Sequence, residues 1–121
     1  MSIYRVKRIP NLPKHFSDDL ASTLFEEPEE MKYWQGFYSL HSWFEKLYRD
    51  TSGRLDSFNC VWLELTKENL EDLYCVIYNG GFDEDPVYNY SPERKFADMK
   101  FILHAKRYIN KNYAIYYKAW W

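Results

Sequence analysis

The chain has 121 residues, 46% of them hydrophobic, 21% aromatic and 28% charged, with a formal net charge of −2. That length builds one packed core rather than two, and the near-neutral charge disfavours nucleic-acid binding through clustered cations. No apolar run approaches the ~18 residues of a membrane helix, and the first residues lack a signal peptide's apolar segment, so the expected setting is cytosolic.

Residues 2–9, SIYRVKRI, alternate imperfectly with a period of two and are closed by Pro10, which predicts a short strand with a charged outer face. After a break at Asn11-Leu12-Pro13, Ser17-Asp18-Asp19 supplies an N-cap and first-turn acids for a short helix over 18–25. Glu26-Glu27-Pro28-Glu29-Glu30 reads as the start of the next helix, with proline at its first position and carboxylates at the positive end of its dipole. That helix is expected to be the centre of the core. Within residues 31–48, MKYWQGFYSLHSWFEKLY, Tyr33, Phe37, Leu40, Phe44 and Leu47 recur at helical spacing, and Trp34, Tyr38, His41 and Tyr48 widen the stripe. A face so broad must be covered on more than one side. Gly36 falls inside this predicted helix at a cost of ~1 kcal/mol relative to alanine, which points to close approach of another element at that turn.

Asp50-Thr51-Ser52-Gly53 ends the helix, with Gly53 available for a left-handed cap. Residues 58–65, FNCVWLEL, are the second predicted strand. Thr66 then caps a helix whose stripe is Leu70, Leu73, Tyr74 and Ile77, stopped by Asn79-Gly80-Gly81. Residues 82–90, FDEDPVYNY, form a loop, and its Asp83-Glu84-Asp85 cluster lacks the ligand alternation and central glycine of a calcium loop. Ser91-Pro92-Glu93 opens the last helix, with Phe96, Met99, Ile102, Leu103 and Ile109 as its buried stripe and Lys95, Lys106 and Arg107 on its rim. Asn110-Lys111-Asn112 turns the chain into residues 113–121, YAIYYKAWW, the third predicted strand. The expected fold is a single α+β domain over 1–121. A small, mostly antiparallel sheet is built from the first, middle and last extended segments, with about three helices packed on one face.

Chemistry-bearing residues are sparse. Cys60 and Cys75 read as buried free thiols, and His15, His41 and His104 are spaced too widely for a zinc site, so neither metal nor cofactor is expected. His41 is the residue an enzyme would use, yet a general base needs a partner and a cleft. It reads instead as a packed histidine bonded to a backbone carbonyl or a tyrosine hydroxyl, with Trp34 and His41 together marking a candidate ligand pocket. With no Ser/His/Asp pattern and no phosphate-binding glycine loop, the chain is not expected to be an enzyme.

Charge is distributed unevenly. Residues 1–14 carry four basic and no acidic side chains, residues 15–90 sixteen acidic against five basic, and residues 91–121 seven basic against two acidic. If the ends meet, Arg5, Lys7, Lys106, Arg107 and Lys118 would gather on one surface, with Tyr117, Trp120 and Trp121 among them. Cations beside amphipathic rings make a docking surface for an anionic partner.

The block Tyr33-Trp34 … Leu40-His41-Ser42-Trp43-Phe44 resembles the Y-W-x5-[IL]-H-x-W-F block of a family of small tailed-bacteriophage proteins. Ile3-Tyr4-Arg5-Val6-Lys7 echoes the family's opening segment, and Tyr116-Tyr117-Lys118-Ala119-Trp120-Trp121 its Tyr-Tyr-Gln-Ser-Ser-Trp ending. The likeness runs in order along most of the chain, departing at Gln35-Gly36 and Ala119-Trp120, where the family has Arg-Lys and Ser-Ser. It implies a phage accessory protein acting in the cytoplasm of the infected host. The partner expected on this reading is a host or defence protein. The alternative is a non-catalytic module that sequesters a nucleotide or other small anionic ligand. A membrane is not expected, and a homodimer sealed by the aromatic tail is compatible with the sequence.

Overall fold

The computed structural model describes residues 1–25, 27–52 and 58–119, with 22 and 23 described by their backbone alone. The expected α+β architecture is what forms. Five strands, β1 (Ser2–Lys7), β2 (His15–Ser17), β3 (Glu29–Tyr33), β4 (Val61–Leu65) and β5 (Tyr113–Lys118), make one sheet in the order β2-β4-β5-β1-β3. Every neighbouring pair is antiparallel. Four helices accompany it among the described residues: α1 (Asp18–Leu24), α2 (Tyr38–Ser52), α3 (Lys67–Tyr78) and α4 (Pro92–Asn110).

The strand β5 is central because it is apolar on both sides. Ile115 and Tyr117 point to one face, Ala114 and Tyr116 to the other, and all four are buried. A strand with two apolar faces is stable only where both are covered. On the first face, Ile3, Leu63, Leu65, Ile115 and Tyr117 meet α2, α3 and α4 through Leu40, Phe44, Leu70, Leu73, Ile77 and Ile102. On the second face, Val6, Trp62, Ala114 and Tyr116 form a smaller core with Phe16, Ala21 and Phe25, contributed by β2, α1 and the residue that follows it. Thr66 caps α3 with a reciprocal bond pair to Asn69, and Ser91 caps α4 through Arg94 N–H. No helix among the described residues is long and apolar enough to cross a membrane.

The main correction concerns the helix expected from residue 31. Helix α2 begins only at Tyr38, and Glu29–Tyr33 is an edge strand paired to β1, with Tyr33 opposite Ser2 and Glu29 opposite Arg5. The acidic run read as a helix start therefore enters a strand, although Glu26 itself lies outside the described residues. Tertiary pairing overrides the helical spacing here, because without β3 the outer edge of β1 would be an open row of backbone donors and acceptors. Pro28, with its fixed φ and no N–H, is tolerated immediately before an edge strand. Gly36 is not a close-approach site, since a Cβ there would meet nothing within 4 Å. It is needed because the chain turns at φ +70 between β3 and α2.

Smaller corrections follow the same logic. The strand β2 has three residues, too few to leave a periodic signal. Along α4 the inward positions are Asp98, Ile102 and Ala105, whereas Phe96 and Leu103, expected inside, are 68% and 43% exposed. A carboxylate replaces the expected apolar group at the core-facing position. Cys60 is half-buried and Cys75 exposed, so the thiols are free but not core residues. The expected helix cap at Gly53 lies outside the described residues.

Candidate functional site

The break between β3 and α2 makes the most distinctive feature of the surface. At the end of β3 the chain turns inward and buries Trp34, whose indole Nε1 donates to both oxygens of Asp98 at 3.1 and 3.2 Å. Tyr90 Oη donates to the same carboxylate at 2.8 Å, and Lys32 Nζ sits 3.2 Å from it. Three donors from two segments, the end of β3 and the loop before α4, thus converge on one buried carboxylate in α4, which is why an acid is tolerated there. The Trp34 backbone is pinned in turn by Met1, accepting at its carbonyl from the terminal ammonium (3.2 Å) and donating from its N–H to Met1 O (2.9 Å).

Beyond Gly36, Phe37 is buried and stacks on Tyr88 with ring centroids 4.2 Å apart. The first turn of α2 has no serine, threonine or acid of its own in front of it, and the loop after α3 supplies the missing acceptor. Asp85 accepts from Ser39 N–H at 2.6 Å and also from the N–H groups of Val87 and Tyr88 at 2.9 and 2.7 Å. Partial burial acts to raise the Asp85 pKa, but these backbone donors, Tyr88 foremost, outweigh it and hold the carboxyl down at about 2. One side chain therefore caps a helix and folds the loop that carries Val87.

Between these two anchored walls lies a cleft of about 630 Å³, lined by Tyr33, Trp34, Tyr38, His41, Glu45 and Val87, together with Met1 and smaller polar neighbours. The sequence-predicted pair Trp34 and His41 does line one recess. Its rim is apolar and outward-facing, with Tyr33, Tyr38 and Val87 at 51%, 65% and 78% exposure. Among the described residues no lysine or arginine lines it, and Glu45 contributes a carboxylate.

His41 sits at the cleft's inner wall, buried, with Nδ1 sharing a 2.7 Å hydrogen bond with the Tyr117 hydroxyl. The tyrosine partner expected for it is present. Burial, and then the nearby positive chain terminus, lowers the His41 pKa to about 4, so the ring is neutral at neutral pH. Burial also raises the Tyr117 phenol far above its ordinary value. A weak base bonded to an unusually weak acid stabilises a core and does not generate a nucleophile. No group of three His, Cys, Asp or Glu positioned to hold a metal ion occurs among the described residues.

The two chain ends meet, as β1 and β5 pair from Ser2↔Lys118 to Lys7↔Tyr113. The common basic surface expected from that meeting does not form. Arg5 lies on the helix-layer face, 2.8 Å from Glu29 and 4.1 Å over the Tyr108 ring. Lys118 lies on the opposite face, 2.8 Å from Asp18 and over Trp62. Strand alternation puts positions 5 and 118 on opposite sides of the sheet. Lys106 turns to Glu71 on α3 at 3.0 Å, while Lys7 and Arg107 are exposed. Tyr117, expected at the surface, is fully buried. Trp120 and Trp121 lie outside the described residues.

Sequence reasoning missed Tyr33, Tyr38 and Val87 as rim residues. The first two were absorbed into a helical stripe, and only Gly36 between them signalled that their segment breaks. Val87 carried a weak signal, an aliphatic residue placed between an acidic cluster and tyrosines in a loop. Compared with protein-family models, curated proteins and solved structures, the chain finds no match.

Proposed function

We propose that this is a non-catalytic binding protein whose cleft between β3 and α2 receives a segment of a partner protein, and that the partner is a host or defence protein met inside an infected bacterium. The observation that carries the docking is the cleft itself, a recess of about 630 Å³ rimmed by the exposed Tyr33, Tyr38 and Val87. Tyrosine offers a broad apolar face with one polar tip, and such side chains grouped around a recess suit the anchoring of a partner. Both walls are held in advance, one by Asp98 and the other by Asp85, which limits the ordering cost of binding. The phage setting rests on the resemblance of the Tyr33 to Phe44 block and of the aromatic C-terminal segment.

Sequestration of a nucleotide is the weaker reading. A phosphate in this recess would meet the Glu45 carboxylate, and the cation lining it among the described residues is the Met1 terminal ammonium, already bonded to Trp34 O, with no lysine or arginine. Catalysis has no better support, because His41 is held neutral against a phenol that resists ionisation.

The test is capture by the immobilised full chain from infected-cell lysate, followed by calorimetry with the purified captured protein. Tyr38→Ala and Val87→Asp, both at exposed positions, should each weaken that binding by about tenfold or more, the effect of losing a well-placed anchor. Glutamate at Lys7 should leave it unchanged. Undiminished binding by both cleft variants, with the fold intact by circular dichroism, would move the functional surface elsewhere.

A further inference from the structure

The outward face of α4 is occupied in a way that α4's own fold does not require. Phe96 is 68% and Leu103 43% exposed, two turns apart on the longest helix of the described residues. Beside them on the same outward face lie Glu93, Lys100 and Arg107, all exposed. None of these three takes part in an ion pair among the described residues, unlike Lys95 and Lys106 on the same helix. Lys67 Nζ reaches Asn110 Oδ1 at 3.4 Å and Lys106 Nζ reaches Glu71 Oε1 at 3.0 Å, which sets α3 antiparallel to α4. Tyr78, at the far end of α3 and 67% exposed, therefore lies towards the Phe96 end of α4.

We propose that this face is a self-association surface, and that what covers it is the α4 face of a second copy of the chain in antiparallel, two-fold arrangement. The argument is its self-complementarity about position 100. Fourteen residues, or about four turns and ~21 Å, separate Glu93 from Arg107, and a two-fold axis near Lys100 lays Glu93 of one copy against Arg107 of the other, twice. The same operation lays Phe96 against Leu103, also twice. An isologous contact needs this property, in which each residue's partner is found on the same patch. One feature opposes it: Lys100 approaches its own copy at the axis, a like-charge contact that keeps the association weak. A contact confined to one helix face belongs with transient interfaces, a class that buries less than ~1,200 Å² in total. Neither Phe96 nor Leu103 lines the β3–α2 cleft, so the surface is separate from the proposed docking site.

Sedimentation equilibrium of the full chain, taken up to about 1 mM to cover weak association, tests the proposal. Wild type should shift from monomer to dimer mass as concentration rises. Phe96→Asp and Leu103→Asp should each weaken the dimer about tenfold or more, with unchanged circular dichroism. Arg107→Glu should also weaken it, and the double reversal Glu93→Arg/Arg107→Glu should restore it to within about threefold of wild type. Lys100→Gln should tighten it. Monomer mass throughout the range, a dimer indifferent to Phe96→Asp and Leu103→Asp, or a double reversal no better than Arg107→Glu alone would each overturn the assignment.

Discussion

Replacing Asp98 with alanine is the most informative perturbation of the cleft, because one side chain joins β3, the loop before α4 and α4 itself. In the native protein its carboxylate accepts two bonds from Trp34 Nε1 and one from Tyr90 Oη, and lies 3.2 Å from Lys32 Nζ, with the side chain only 4% exposed. Asp98→Ala leaves an indole N–H and a phenol without their acceptor and an ammonium without its counter-charge. Removing one partner of a buried charged set costs about 3–5 kcal/mol, a large part of the 5–15 kcal/mol that holds a typical domain together. Trp34→Phe removes the indole donor together with the pyrrole half of a buried ring, so it should cost at least about 1.5–3 kcal/mol. The two changes share a bond, so the double variant should be less destabilised than the sum by roughly 1–3 kcal/mol. Urea denaturation followed by far-ultraviolet circular dichroism measures all three, with equal slopes confirming that only stability has changed. An Asp98→Ala loss below about 1 kcal/mol, or strict additivity with Trp34→Phe, would refute the view that this carboxylate fixes the inner wall.

Two further outcomes follow from the site. His41 titrates near 4 when folded and near 6.5 when unfolded, so the unfolded chain binds the proton more readily between those values. Its contribution should be complete above about 6.5 and fall as pH drops towards 4; His41→Gln, of lower stability at neutral pH, should lack that segment of the profile in denaturation midpoints taken across the range. Asp85→Ala removes the acceptor for Ser39, Val87 and Tyr88 N–H and should cost about 1–2 kcal/mol, the upper range for a lost helix cap. Hydrogen exchange should quicken at those three amides first, and exchange unchanged there would contradict the capping role.

The fold was legible where local chemistry and tertiary demand agree. Thr66, Asn79 and Ser91-Pro92 mark helix ends by bonds they make with their own neighbours, so their positions are readable from sequence. The 113–118 segment was readable as a strand but not as the central one, because Tyr117 was expected at the surface, whereas Ala114, Ile115, Tyr116 and Tyr117 are all buried. Residues 29–37 misled because Tyr33, Phe37, Leu40 and Phe44 keep helical spacing across a break that only a partner strand and one left-handed glycine impose. Asp98 was invisible for a related reason. Its burial depends on donors that are 64 residues back at Trp34 and 8 back at Tyr90, and no local pattern on α4 records either. Trp34 and His41 were found as a pair because both are large, polar-tipped residues amid apolar neighbours. The rim was not, since an exposed tyrosine looks like a core tyrosine in a string of letters.

The uneven charge along the chain has a different meaning once the strand order is known. The basic ends supply β1 and β5, which lie side by side in the middle of the sheet, while acidic segments supply the strands that flank them. Arg5 therefore meets Glu29 across the β1–β3 pair, Arg8 meets Glu64 of β4, and Lys118 meets Asp18 at the start of α1. Each is a partly exposed pair of small individual worth. Together they offset the like charge that β1 and β5 bring side by side, since each ties a basic end segment to an acidic neighbour. A separation of charge that reads in sequence as two opposed faces becomes, through antiparallel pairing, a mosaic of neutralised contacts. What the cleft beside β3 exposes is then distinguished by its rings, at Tyr33 and Tyr38, rather than by its field.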